Sequence, residues 1–337
     1  MKKNNKILVT GGAGYIGSHC LISLINNKYE PIVVDNLSNS SREVLKKIQL
    51  ITKKKIKFYK FDLRNKKKLS SVFKKHKFDS VLHFAGLKSV KESNANPLLY
   101  FNNNVINSIN LIETMRNFNV FNLIFSSSAC VYNSDEALPW SEISKTGKTT
   151  NAYGTSKYII ERILMDISKA DKRWKIGIAR YFNPISNHHS GLIGESPNGI
   201  PENLVPYLIK VISGEYSFLN IYGDDYKTKD GTGVRDYIHV SDLAEAHLKL
   251  LKYLKKINSF EIFNFGSGKG YSVKEIIKSF YKNEKIKIPY KIKPRRNGDL
   301  PIYYTLNTKA KKVLKWGVKK DLNTMTKDIC KFIKNSF

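Results

Sequence analysis

The segment Lys6-Ile7-Leu8-Val9-Thr10-Gly11-Gly12-Ala13-Gly14-Tyr15-Ile16-Gly17-Ser18-His19 decides the architecture. Its first five residues read as a short buried strand, the glycines as a loop, and the apolar run from Ser18 to Asn26 as a helix. A strand, a glycine loop and a helix in that order make a phosphate cradle. Glycines let the backbone turn tightly and approach a pyrophosphate, while the N–H groups and positive dipole of the helix N-terminus face its charge. Gly11, Gly14, Tyr15, Ile16 and Gly17 are therefore candidate cofactor contacts. The next strand, Pro31 to Asp35, closes on an acid about 20 residues further on, where a carboxylate accepts hydrogen bonds from adenine-ribose hydroxyls and repels a 2′-phosphate. The expected cofactor is NAD rather than NADP, with Asn36 beside Asp35 as a further contact.

Outward from this loop, β-branched runs at Lys57 to Lys60, Ser80 to Phe84, Asn122 to Ser126 and Lys175 to Tyr181 alternate with amphipathic stretches. Such alternation predicts an α/β fold, a Rossmann-type doubly wound parallel sheet. Between Pro184 and Gly233 glycine and proline become frequent and the alternation stops. The expected division is an NAD-binding domain over 1–184 and a smaller C-terminal α/β substrate-binding domain over 185–337. A helical pattern at Val240 to Lys256 implies that a segment of about 237–262 packs back on the first domain.

Composition narrows the function classes. With 41% hydrophobic residues the 337-residue chain can bury a large core, and nothing in it approaches the roughly 18 apolar residues of a membrane span. The apolar stretch behind Met1-Lys2-Lys3 is too short for a signal peptide, so a soluble, cytoplasmic protein is expected. Cys20, Cys130 and Cys330 are scattered without zinc-ligand spacing, which implies neither disulfide nor metal. The net charge of +30 raises the question of a nucleic-acid partner. The lysines come in short runs along the whole chain (Lys53 to Lys55, Lys66 to Lys68) without interleaved aromatics, so they read as a solvated face that helps attract anionic nucleotides. No nucleic-acid or membrane partner is expected.

Asp62, after the third strand, stands where an acid accepts the adenine amino group, or equally caps the helix Lys66 to Lys75. Phe84, Ala85, Gly86 and Lys88 end the fourth strand at the carboxyl edge, where ligands bind in such sheets. Leu63, Asn103 and Tyr181 complete the candidate cofactor set.

Tyr153 and Lys157 are four residues apart and share one face if the stretch is helical. A tyrosine with an ordinary pKa of about 10 is a poor base at neutrality. An ammonium one turn away and a positively charged nicotinamide favour its phenolate, which then accepts a hydroxyl proton as hydride leaves. Ser128, at the end of the fifth strand, offers a hydroxyl to the reacting oxygen; serines there also serve turns.

With these motifs in place, the chain resembles the UDP-galactose 4-epimerase family of the extended short-chain dehydrogenase/reductase superfamily along nearly its whole length. The likeness is carried by the glycine loop, His83 to Lys88, Ser126 to Ser128, Tyr153-Gly154-Thr155-Ser156-Lys157, Arg180 to Pro184, Asp230 to Val240, and Pro294-Arg295-Arg296-Asn297-Gly298-Asp299. The resemblance implies reversible oxidation at sugar C4 by tightly held NAD, turning of the 4-keto intermediate, and return of hydride to its other face. It implies that Asn183, Asn203, Arg235 and Arg296 hold uridine diphosphate, that Tyr181 supports the nicotinamide, and that Tyr303 lines the sugar pocket and disfavours an N-acetyl group. Arginines suit bidentate diphosphate binding, although either one alone also reads as a surface ion pair. A homodimer through the helices around Asn96 to Phe118 and Thr155 to Lys169 is a further implication.

The chain departs from the family at Asn133, where glycine is usual, at Cys130, usually threonine, and at Asn187-His188-His189. These changes put local loop geometry in doubt, not the reaction type. A 4,6-dehydratase would share fold and cofactor, but similar enzymes carry an Asp-Glu pair where this chain has Ala129-Cys130. A simple alcohol dehydrogenase would release reduced cofactor at each turnover. A non-catalytic NAD-sensing or nucleic-acid-binding protein would have no need of Tyr153, Lys157 and Ser128 together.

Overall fold

The computed structural model describes residues 5–257, 260–296 and 298–336. They form two compact units. The first runs up to Asn133 and adds Glu142–Tyr181 and Ala244–Phe263; the second comprises Ser134–Ser141, Phe182–Leu243 and the chain from Asn264.

In chain order the first strands are β1 (Lys6–Thr10), β2 (Glu30–Asp35), β3 (Lys57–Lys60), β4 (Ser80–His83), β5 (Asn122–Ser128) and β6 (Lys175–Tyr181). There follow β7 (Asn183–Ile185), β8 (Leu219–Tyr222), β9 (Val234–His239) and β10 (Phe260–Phe265). A seven-stranded sheet has the order β10-β6-β5-β4-β1-β2-β3. β1 pairs in parallel with both β2 and β4, and β4-β5 and β5-β6 are parallel too. The chain therefore winds outward from β1 in one direction, returns, and winds outward in the other. The reversal between β1 and β4 is the crevice where doubly wound sheets take ligands. The register carries Thr10 beside His83, and Ser128 beside Tyr181, to the carboxyl edge.

The central strands β1, β2, β4, β5 and β6 are buried along nearly their whole length, as expected of a parallel sheet covered on both faces, whereas the edge strand β3 has exposed ends. Leu8, Ile32, Val81, Leu123 and Ile176 form the sheet's part of the core, and Ile160 and Leu164 pack against it from the helix Ala152–Ala170. β5 runs two residues past its expected end, so all three serines are strand residues. The helix Lys66–Lys75 is capped by Asn65, whose side chain accepts from Lys68 N at 3.0 Å. The capping alternative for Asp62 is thereby corrected.

The second unit is built around β9. It pairs in parallel with β7 and in antiparallel fashion with β11 (Gly270–Ser272); β12 (Tyr290–Lys293) pairs with β8, and β13 (Ile302–Tyr303) with β9. Leu208, Leu219, Phe280 and Ile329 lie in its core. The units are not cut at residue 184 alone. Ser134–Ser141 belongs to the second, because Trp140 N donates to Tyr304 O (3.0 Å) and Leu306 N to Trp140 O (2.8 Å). The return to the first unit begins at Ala244 and not near 237. Asp242 is tied to the second by Trp316 Nε1 on its carbonyl (3.0 Å) and by Lys319 N and Lys320 N on its carboxylate. Among the described residues no helix is long and apolar enough to cross a membrane.

Candidate active site

The glycine loop has no room for side chains. A Cβ on Gly11, whose φ is +69°, would stand 2.6 Å from Ala85 N, and one on Gly17 would stand 2.4 Å from Gly11 O. The helix Tyr15–Asn26 begins at Gly14 with no side-chain cap and no acid in its first turn, so its positive end is left for an outside anion. Tyr15, Ile16 and Gly17 supply that first turn. Asp35 is buried, and its carboxylate braces the loop: Oδ2 accepts from Ala13 N (3.0 Å), Oδ1 from Leu37 N (2.8 Å). Burial raises its pKa above the ordinary carboxylate value, against those hydrogen bonds.

Asn36 and Asp62 are brought together, Nδ2 donating to Oδ2 at 3.1 Å. The Arg64 guanidinium holds the Asp62 carboxyl below its usual range. Leu63 is a core residue, 3% exposed, so only its backbone can meet a ligand. Phe84 packs its ring 5.1 Å from that of His247, and Ala85 closes over Gly11. Gly86 is exposed; a Cβ there would stand 3.1 Å from Asn104 Oδ1 and 3.7 Å from Lys157 Nζ. Lys88 is exposed, and Asn103 is half-buried on the π-helical turn Phe101–Ile106. A bare loop, an uncapped helix end and a carboxylate at the tip of β2 fit a dinucleotide diphosphate and ribose.

The helix Ala152–Ala170 is capped by Asn151, whose side chain accepts from Gly154 N at 2.8 Å. It thus starts in time to put Tyr153 in its first turn and Lys157 one turn on. Lys157 Nζ donates to Ser126 O (2.7 Å) and stands 5.9 Å from the centre of the Tyr153 ring. Burial pushes its pKa down to about 8, with Glu161 pulling the other way. The Ser128 hydroxyl accepts from Cys130 N at 3.2 Å, so this serine also caps the turn Ala129–Val131. The Tyr181 hydroxyl lies 2.5 Å from His247 Nε2, and burial holds its pKa well above 10. His83 is enclosed between Thr10 Oγ1 (2.7 Å) and Ser108 Oγ (2.9 Å); burial lowers its pKa to about 3, and the ring stays neutral as a structural link.

In the second unit Arg235 Nη2 donates to Asp299 (2.9 Å), and its guanidinium lies 4.6 Å over the Tyr303 ring. Trp140 stacks on Tyr303 with centroids 5.6 Å apart and planes at 10°. Arg296 is exposed and lies 3.9 Å over the Tyr222 ring. Asn203 precedes the helix Leu204–Ile212 without capping it by its side chain, and its amide reaches Glu195 at 3.5 Å. Asn183 Oδ1 is buried with no hydrogen-bond partner, an acceptor suited to a ligand donor. Asn297 lies outside the described residues.

The structure adds residues that no motif singled out. Asn104 ties the loop after β4 to the helix Ala152–Ala170, accepting from Leu87 N (2.8 Å) and donating to Ser156 Oγ (2.9 Å). His247, Trp140 and Tyr222 touch predicted residues, and Glu161 stands behind Lys157. The one signal for them was aromatic or polar character inside otherwise periodic segments. Asn133, the departure from glycine, binds Lys148 N through its side chain at 2.8 Å and so secures its own loop.

The model of the NAD-dependent epimerase/dehydratase family matches residues 7–266, and this chain belongs to that family. Its relatives narrow the group further. It is 47% identical over 331 residues to a UDP-glucose 4-epimerase of Neisseria meningitidis serogroup C, covering 98% of each chain. It is 49% identical over 322 residues to a UDP-glucose 4-epimerase of Pasteurella multocida, covering 96% of this chain and 95% of that protein. A crystal structure of the UDP-glucose 4-epimerase of Bifidobacterium longum in complex with NAD+ and UDP superposes with a TM-score of 0.95 at 46% identity, covering 98% of each chain.

Proposed function

We propose that this protein interconverts UDP-galactose and UDP-glucose, with Tyr153 taking and returning the proton of the sugar 4-hydroxyl. One observation carries the reading: a buried lysine one helical turn from Tyr153, with its ammonium on the Ser126 carbonyl at the carboxyl edge of a sheet whose glycine loop fits NAD. Tightly bound NAD, held by the glycine loop, Asp35 and the Phe84–Gly86 edge, supplies the hydride acceptor and donor at C4. Lys157 favours the Tyr153 phenolate by charge attraction, and Ser128 donates to or accepts from the reacting oxygen as its bond order changes. Arg235 and Arg296 hold the diphosphate, Asn183 and Asn203 the remainder of the nucleotide, and Tyr181 supports the nicotinamide. Tyr303 is a bulky wall that selects sugars without an N-acetyl group.

The protein works in the cytoplasm as a homodimer. Leu98 and Ile106, 80% and 45% exposed on the segment Asn96 to Phe118, supply apolar surface for a second copy. The test is incubation of the purified protein with UDP-galactose and no added NAD, followed by NMR. UDP-glucose should appear, and Tyr153→Phe should abolish it; no conversion by the wild type would overturn the reading.

A further inference from the structure

Behind Lys157 the first unit encloses a second set of charges that the chemistry above does not use. Glu161 follows Lys157 by one helical turn and is 3% exposed. Arg180, on β6, grips it with two bonds, Nη2 to Oε2 at 2.6 Å and Nε to Oε1 at 3.0 Å. Ser127 Oγ donates to Oε1 at 2.5 Å, and Arg180 Nη1 donates to the Tyr132 hydroxyl at 3.0 Å. Ser127 and Arg180 are register partners across β5 and β6, so both reach the helix from one face of the sheet.

Resting on the epimerase reading, we propose that Glu161 is a positioning residue whose buried carboxylate keeps the Lys157 ammonium charged and seated on Ser126. The groups facing Lys157 are Glu161 and Tyr153 on its own helix, the Ser126 carbonyl and Phe125 ring on β5, and His83 on β4. His83 is neutral, so Glu161 is the anion among them. Two enclosed cations lie near this one carboxylate: Arg180 is bonded to it, and Lys157, one helical turn away on the same helix, feels its charge. A guanidinium does not release its proton in a protein. If the carboxylate is lost, the excess positive potential is therefore relieved at the lysine.

Stability alone does not explain such a pair, since buried ion pairs are often replaceable by apolar groups without loss. It does explain how a lysine deprived of water stays protonated beside a tyrosine that must ionise. It also fixes geometry. Lys157 holds the carbonyl of Ser126 and Glu161 holds the hydroxyl of Ser127, so consecutive residues of β5 are gripped from one helix just before Ser128.

The experiment compares wild type, Glu161→Gln and the double variant Glu161→Gln/Arg180→Met as NAD-loaded enzymes, with kcat and KM for UDP-galactose measured from pH 6 to 10. Activity falls on the alkaline side as the lysine loses its proton. In Glu161→Gln that limb should move about one pH unit lower, so that kcat drops about 10-fold more at high pH than at pH 6 while KM changes little. The double variant removes the stranded guanidinium together with the carboxylate and leaves Lys157 as the one buried cation of the set, so its limb should fall between the other two. A purely structural role would lower kcat equally at every pH and leave the limb in place in both variants, which overturns the proposal. If Glu161→Gln does not fold, the double variant decides by itself. Failure of the epimerase reading looks different: the wild type would then not convert UDP-galactose at all.

Discussion

The charged cluster behind Tyr153 in the first unit and the arginine pair after β12 in the second treat charge in opposite ways, although the second unit also encloses Asp236 and Asp242. In the first, Lys157, Glu161 and Arg180 are no more than 5% exposed and are fixed by hydrogen bonds to β5 and to one another. In the second, Arg295 and Arg296 are exposed, each laid on a tyrosine ring at 4.3 and 3.9 Å. Enclosed charge is expensive to desolvate but acts strongly and needs no rearrangement when a transition state forms. Exposed guanidiniums cost little to keep, and stacking steadies both; Arg295 is further paired with Asp225 (2.7 Å), whereas Arg296 makes a 3.4 Å contact to Glu202 O. On the proposed function, this difference puts turnover in the first unit and affinity in the second, and variants of each unit test it.

The largest expected effect lies in the enclosed set. Lys157→Met should lower kcat by about 10³-fold, since it removes the charge that favours the phenolate. The same change should stabilise the apoprotein. Burial depresses the lysine's pKa from 10.5 to about 8, so its charged form penalises the folded state. The penalty is complete below pH 8, shrinks as the pH rises, and is gone above 10.5. The gain in Lys157→Met should therefore be about 1–2 kcal/mol at pH 7, after allowing for the lost bond to Ser126, and should turn into a small loss by about pH 10.5, where only the lost bond remains. Urea unfolding at the two pH values checks the sign. A variant less stable at pH 7 would break the comparison.

A smaller effect is expected in the second unit. Arg296→Ala should raise KM for UDP-galactose by about 10- to 50-fold, the loss of a charge-assisted contact of about 1.5–2.5 kcal/mol, with kcat nearly unchanged. Steady-state kinetics separates the two parameters, and a fall in kcat of the same size would erase the division of labour. The mildest change concerns the sugar. Tyr303→Ala should raise the kcat/KM ratio of UDP-N-acetylgalactosamine to UDP-galactose by about 10-fold through added room. An unchanged ratio would remove Tyr303 from the pocket wall.

Much of the first unit was legible because its signals are local. The glycine loop, the acid closing β2 and the spacing of Tyr153 and Lys157 each need only neighbouring residues to be interpreted. β1, β3, β6 and the helix Lys66–Lys75 have the ends read from their patterns. What escaped depends on contacts distant in sequence. Nothing near Glu161 says that Arg180 will reach it, and nothing in Glu136 to Ser141 announces that Trp140 pairs with Tyr304 and Leu306. Asp62 shows a local signal misleading in one of its readings: Asn65, one turn nearer the helix, takes the cap, and Asp62 is left to Asn36 and Arg64. The lysine runs at Lys53 to Lys55 and Lys66 to Lys68 are exposed throughout, the solvated face that their spacing predicts.

The position of β10 in the sheet has a consequence for how the chain is made. β10 lies next to β6, but residues 182–259 separate the two in sequence, and of these 182–243 belong to the second unit. On the ribosome β6 emerges early and waits with one hydrogen-bonding edge bare, because its neighbour on that side has not been synthesised. A bare strand edge is a site for mispairing with other chains. The nascent protein therefore passes through a period in which its largest sheet is complete on one flank and unguarded on the other.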